Sequence, residues 1–81
     1  MNQNLEQFQK MIHLLEVGWE IVEPVRSQFV PQTRETMYHF RLRHLREGNT
    51  SMLIVPTSQT LQQFFVQNNI DTCDIAWQPM M

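Results

Sequence analysis

The residues best suited to recognition chemistry are the arginines Arg26, Arg34, Arg41, Arg43 and Arg46. They give positions 26–46 a net charge of +4, while positions 1–25 and 47–81 each carry −3, within a chain total of −2. A planar guanidinium pairs with phosphate or carboxylate through two parallel hydrogen bonds. Arginines interleaved with aromatic rings on a strand are one way in which a sheet holds RNA, the rings stacking on bases. Arg26, Arg41, Arg43 and Arg46 are therefore the candidate nucleic-acid contacts. Strand periodicity argues for a different use. Tyr38 and Phe40 are out of phase with Arg41 and Arg43, so a period of two sends the rings to one face and the arginines to the other. The favoured reading is a solvated or dimer-paired face whose arginines meet Glu20 or Glu23 of a neighbouring strand.

Other chemistries find less support. His13 falls on a helical segment, and His39 and His44 lie five apart on opposite faces of one strand, so the three histidines make no local metal site. Ser27, Ser51 and Ser58 sit in no nucleophile elbow, and two glycines, Gly18 and Gly48, are too few for a phosphate-cradling loop. The acidic pairs Glu20 with Glu23 and Asp71 with Asp74 read as solvated charges in a chain too small to enclose a deep pocket. Cys73, the one cysteine, excludes an intrachain disulfide and reads as a small buried hydrophobe. The expectation is a protein without enzymatic activity, cofactor or metal.

The elements that must position these residues follow from hydrophobic spacing. Leu5, Phe8, Met11, Ile12 and Leu15 form the stripe of a helix from Leu5 to Val17, with Asn4 as its cap and Gly18 as its stop. Trp19 to Arg26 is rich in strand formers, and Pro24 demands an edge or a bend there. Arg26 to Val30 continues the strand, and Pro31 to Glu35 is a loop. Thr36 to Leu45 alternates cleanly, Tyr38, Phe40 and Leu42 against His39, Arg41 and Arg43. A turn at Glu47–Thr50 leads to Ser51–Val55, a strand apolar on both faces and hence central or at an interface. Pro56-Thr57-Ser58 offers cap chemistry for a second helix carrying Leu61, Phe64 and Phe65 and ending near Asn68 and Asn69. Cys73, Ile75 and Trp77 mark a last short strand, followed by the apolar tail Gln78 to Met81.

The fold class is α+β in the order α-β-β-β-α-β, two layers with a mainly antiparallel sheet and both helices on one face. A right-handed crossover sets the last strand parallel to the third, with a place beside the first open to it. Eighty-one residues suit one small domain, residues 1–81, with a thin core that an oligomer would help to stabilise. The composition is 42% apolar and 17% charged, too apolar for a disordered chain. No apolar run is long enough for a membrane span, and Met1 to Glu6 lacks the order of a signal peptide, which points to a cytoplasmic protein. Ten Gln and five Asn supply polarity, and Lys10 is the one lysine, so strand edges lack their usual charged protection.

These features converge on protein contact. The strand Met52, Leu53, Ile54, Val55 carries more apolar surface than one core needs, and Trp19, Trp77, Met80 and Met81 add large side chains at element ends. The interaction surface is expected at His39, Arg41, Arg43, Met52, Leu53, Ile54 and Val55, and the expected partner is a second copy of the chain in a homodimer. Weak binding of RNA or single-stranded nucleic acid is the alternative.

The run Leu15 to Val25, then Tyr38-His39-Phe40-Arg41-Leu42, Ile54-Val55-Pro56 and Phe64-Phe65, resembles short uncharacterised bacterial proteins of cyanobacterial type. The resemblance covers most of the chain and implies a free-standing cytosolic protein, with no functional residue to carry over. The element order also matches double-stranded-RNA-binding domains. Those open their second helix with lysines, whereas Pro56-Thr57-Ser58-Gln59-Thr60 has no positive charge.

Overall fold

The computed structural model describes residues 3–74. Helix α1 (Gln3–Glu16) is followed by strands β1 (Trp19–Val30), β2 (Glu35–His44) and β3 (Thr50–Pro56), helix α2 (Gln59–Asn68) and strand β4 (Thr72–Asp74). The expected order α-β-β-β-α-β is the observed one. The sheet runs β3-β2-β1-β4, antiparallel across its first two pairings and parallel between β1 and β4. Because β1 and β3 both oppose β2, β4 also runs parallel to β3, and it lies beside β1. The expected last strand reached Trp77; its residues past Asp74, with Trp77, Met80 and Met81, lie outside the described residues.

Alternation in β2 sets the core. Phe40 and Leu42 are fully buried, and on β3 Leu53, opposite Phe40, and Val55, opposite Tyr38, are buried on the same face. Met11 from α1, Val25 from β1 and Leu61 and Phe65 from α2 complete the cluster. Phe65 stacks on Phe40 at 5.8 Å between ring centroids, and Phe8 of α1 meets Phe64 of α2 edge to face at 5.5 Å. Helix α2 starts where Ser58 Oγ accepts the Leu61 N–H at 3.1 Å, and it stops at Asn69, left-handed at φ 51°. Helix α1 begins before Asn4, which therefore lies in its first turn and not at its cap.

Strand β1 accommodates Pro24 without ending. From Val22 to Arg26 it spends four steps while β2 spends two, from Arg41 to His39, so Glu23, Pro24 and Val25 form a bulge, with a cis peptide at Glu23–Pro24. An even insertion preserves the alternation. Ile21 and Val25 therefore stay on the core face, and Val22 and Arg26 stay on the other. The backbone freed by the bulge turns to the neighbouring segment: the Val25 N–H donates to the Asp71 carbonyl at 2.9 Å, and Glu23 Oε1 accepts the Asp71 N–H at 3.1 Å.

The junction of α1 and β1 is pinned by Gly18 and His44. Gly18 takes φ +106°, and a Cβ on it would lie 3.3 Å from His44 Nε2. The His44 ring meets Trp19 edge to face at 5.2 Å, and its Nδ1 accepts the Glu47 N–H at 3.1 Å, which closes the turn into β3. Gly18→Ala combines strained backbone with this close approach and should cost about 1–3 kcal/mol, read as a lowered chemical-denaturation midpoint with unchanged m-value. A substitution within a few tenths of neutral would show that the junction is not held as described.

Candidate functional site

The face of the sheet opposite the core carries the candidate site. Directly opposed residues share a face, so the register places Glu20, Val22, Arg26 and Gln28 of β1 beside Arg43, Arg41, His39 and Met37 of β2. Across the other side of β2, Ile54 opposes His39, Met52 opposes Arg41 and Thr50 opposes Arg43. Cys73 of β4 opposes Arg26 and is exposed, so it is no part of the core, contrary to the sequence expectation. Its strand is a sheet edge among the described residues, and the core stops short of it.

The expected interaction surface splits along the pleat. His39, Arg41, Arg43, Met52 and Ile54 come together on this face, with Met52 58% and Ile54 46% exposed. Leu53 and Val55 do not join them. At 9% and 0% exposed they point into the core, because a strand sends consecutive side chains to opposite sides. The apolar excess of this strand thus has two destinations, core and open face. β3 is also an edge strand and not a central one.

The charges on this face are unequal in their partners. Arg43 is tied to Glu20 through its Nε at 2.9 Å and through a second guanidinium nitrogen. His39 Nε2 and Gln28 Oε1 lie 3.1 Å apart. Arg26 and Arg41 have no ion pair or hydrogen-bonding side chain among the described residues. They flank a depression of about 160 Å³ lined by Val22, Glu23, Pro24, Arg26, His39, Arg41 and Met52. The bulge in β1 makes it, by carrying Glu23 and Pro24 out of the regular pleat. Arg46 lies apart in the turn after β2, and Arg34 in the turn before it, so four of the five arginines were expected as nucleic-acid contacts but Arg26, Arg41 and Arg43 alone share this face.

Among the described residues no phenylalanine, tyrosine or tryptophan occupies a register position of this face: Tyr38 and Phe40 turn toward Phe65. Stacking on aromatic side chains supplies about 1–3 kcal/mol per base in single-strand binders, and here the His39 imidazole is the one aromatic ring at a described register position. Among the described residues no three His, Cys, Asp or Glu side chains gather in a metal-ligating group. No described helix is long and apolar enough to cross a membrane.

Val22, Pro24 and Gln28 join the site without having been expected there. Pro24 inside an apolar strand was the available signal, since it announced the bulge, but the number of residues it inserts decides the register and is invisible without the partner strand. Comparison with family models, curated proteins and solved structures finds no match for the chain.

Two substitutions on adjacent residues separate the two faces. Leu53→Ala should cost about 2–5 kcal/mol of unfolding free energy and Met52→Ala, on an exposed side chain, less than about 1 kcal/mol, measured by urea denaturation at a concentration low enough for the monomer. Comparable costs at the two positions would contradict the assigned pleat. Glu20→Gln should likewise cost under about 1 kcal/mol, since its pair with Arg43 is solvent-exposed.

Proposed function

We propose that this chain is a non-enzymatic interaction module that works as a homodimer, joined by antiparallel pairing of the β3 edges of two copies. The observation that carries this reading is the unprotected state of β3. Its sequence, Thr-Ser-Met-Leu-Ile-Val-Pro, contains no charged residue, it has no bulge, and no described strand pairs with its outer edge. Edge strands of that kind are templates for pairing with another chain.

The hydrogen bonds that bracket β3 fix which groups are available. The His44 N–H donates to Asn49 O at 2.8 Å, and the Thr57 N–H donates to Thr36 O at 2.9 Å. Residues in phase with 49 and 57, namely Ser51, Leu53 and Val55, therefore bond to β2, and Thr50, Met52 and Ile54 direct their N–H groups outward. Pro56 has no N–H, which ends the free ladder. A two-fold axis through Leu53 sets Met52 of one copy opposite Ile54 of the other, twice over, with both exposed apolar side chains on one side of a continuous sheet.

Charge favours edge pairing over face-to-face packing. Stacked open faces would bring Arg26 and Arg41, both without ion pairs among the described residues, toward their own copies. Edge pairing keeps the two Arg41 residues about three strand spacings apart, roughly 14 Å, beyond the Debye length of about 8 Å. The second reading, weak binding of RNA or single-stranded nucleic acid through Arg26, Arg41, Arg43 and Arg46, keeps Arg26 and Arg41 but finds Arg43 tied to Glu20, Arg46 apart in a turn and no Phe, Tyr or Trp on this face among the described residues. Its signature is affinity that falls steeply with salt in a gel shift.

Light scattering should give a mass of twice 9.8 kDa at high concentration. Ile54→Pro removes an outward N–H without touching the β2 ladder and should give a folded monomer, as should Ile54→Gln, which removes the apolar contact. A wild-type monomer at about 100 μM would defeat the proposal.

A further inference from the structure

We infer that the depression over the β1 bulge is a binding site for a monoanionic carboxylate carried on a short aliphatic stem. Arg26 and Arg41 stand on neighbouring strands of the same face, diagonal to one another through His39, and neither has an ion pair among the described residues. Diagonal positions of this kind are about 7–8 Å apart at the backbone, within the reach of two arginine side chains that converge on one anion. Arg43, which could have joined them, is committed to Glu20 and stands at the far end of the face.

Three features choose the ligand class. Glu23 lines the same depression, so with His39 neutral the lining carries a formal charge of +1, suited to one carboxylate and poorly suited to a phosphate dianion. Its Oε1 accepts the Asp71 N–H at 3.1 Å, which ties that carboxylate to the backbone leading into β4. Val22, Pro24 and Met52 supply the apolar part of its lining, Val22 and Met52 standing on either side of Arg41. The volume, about 160 Å³, is close to that of a cavity that holds a benzene-sized guest and well below the roughly 300 Å³ at which sites for drug-sized ligands begin. Among the described residues no Phe, Tyr or Trp lines it, which leaves a nucleobase only the His39 ring and the guanidiniums to stack on. The site does not require the homodimer: edge pairing would place a second copy's Ile54 beside Met52 and leave the Arg26 and Arg41 side of the depression open.

The chemistry could be presented by a free aliphatic acid or by the terminal carboxylate of a peptide, and the test distinguishes them. Backbone amide shifts of the full chain are followed by NMR during titration with N-acetyl-leucine, with a short peptide ending in a free leucine carboxylate, with N-acetyl-leucinamide, and with inorganic phosphate. The expected result is a saturable shift confined to residues 22, 23, 25, 26, 39–41 and 52 with N-acetyl-leucine or the peptide, at a dissociation constant on the order of millimolar or tighter. The tighter of the two identifies the source. Arg41→Gln and Arg26→Gln should each weaken it about tenfold while leaving the spectrum outside the site unchanged, and the uncharged amide should not bind. Absence of saturable shifts with both carboxylates, equal binding of the amide, or tighter binding of phosphate overturns the inference. Repeating the titration on Ile54→Pro separates it from the dimer, since a monomeric chain must still bind.

Discussion

The pleat of β2 is the constraint on which the rest of the molecule depends. Phe40 and Leu42 are fully buried and Arg41 and Arg43 alternate with them, so one strand fixes which side of the sheet is core and which is charged. A slip of one residue would drive Arg41 and Arg43 among Met11, Leu61 and Phe65, where unpaired guanidiniums cost far more than a domain of this size has in stability. The same parity passes to β3 through the pairs Phe40–Leu53 and Tyr38–Val55, and to β1 through Leu42–Ile21. It survives the bulge because the insertion there is even, which lets Val25 reach the core and Arg26 reach the open face four residues after Val22.

Size then decides what that parity leaves exposed. The side chains that α1 and α2 contribute to the core enter one cluster, with Phe8 and Phe64 in contact, and the sheet face beyond β2 is left with His39, Arg41, Met52 and Ile54. Two properties of that face come from separate causes. Its depression comes from the bulge in β1, which displaces backbone beside Arg26 and Arg41. The edge proposed to pair is open because β3 is terminal among the described strands and free of charge. Met52 belongs to both, lining the depression with its side chain and offering its N–H at the edge.

Much of this was legible in the amino-acid sequence, and the reasons for success and failure are physical. Clean alternation from Tyr38 to Arg43 located β2 and its two faces, Gly18 marked the stop after α1, and the segments Pro56-Thr57-Ser58 and Asn68-Asn69 bracketed α2, whose caps are Ser58 and Asn69. Local patterns suffice there because each signal acts within a few residues. The position of β3 was not legible: Met-Leu-Ile-Val reads as a strand buried on both faces, and whether its second face meets protein or solvent depends on strand order. Leu53 and Val55 were for that reason grouped with Met52 and Ile54, although the pleat separates them. Cys73 looked like a core residue by type, but its strand is an edge, and Val22 and Pro24 joined the site because a bulge of even length keeps a register that sequence does not count.

Hydrogen exchange of individual β3 amides bears most directly on the claim that this edge joins two copies. The Ser51, Leu53 and Val55 amides bond to β2 and should be protected at every concentration, whereas the Thr50, Met52 and Ile54 amides should gain protection as the chain is concentrated from micromolar to millimolar. An alternating pattern that closes with concentration is the result expected of edge pairing. Fast exchange at Met52 and Ile54 across the whole range would contradict it and leave β3 an exposed edge without a partner.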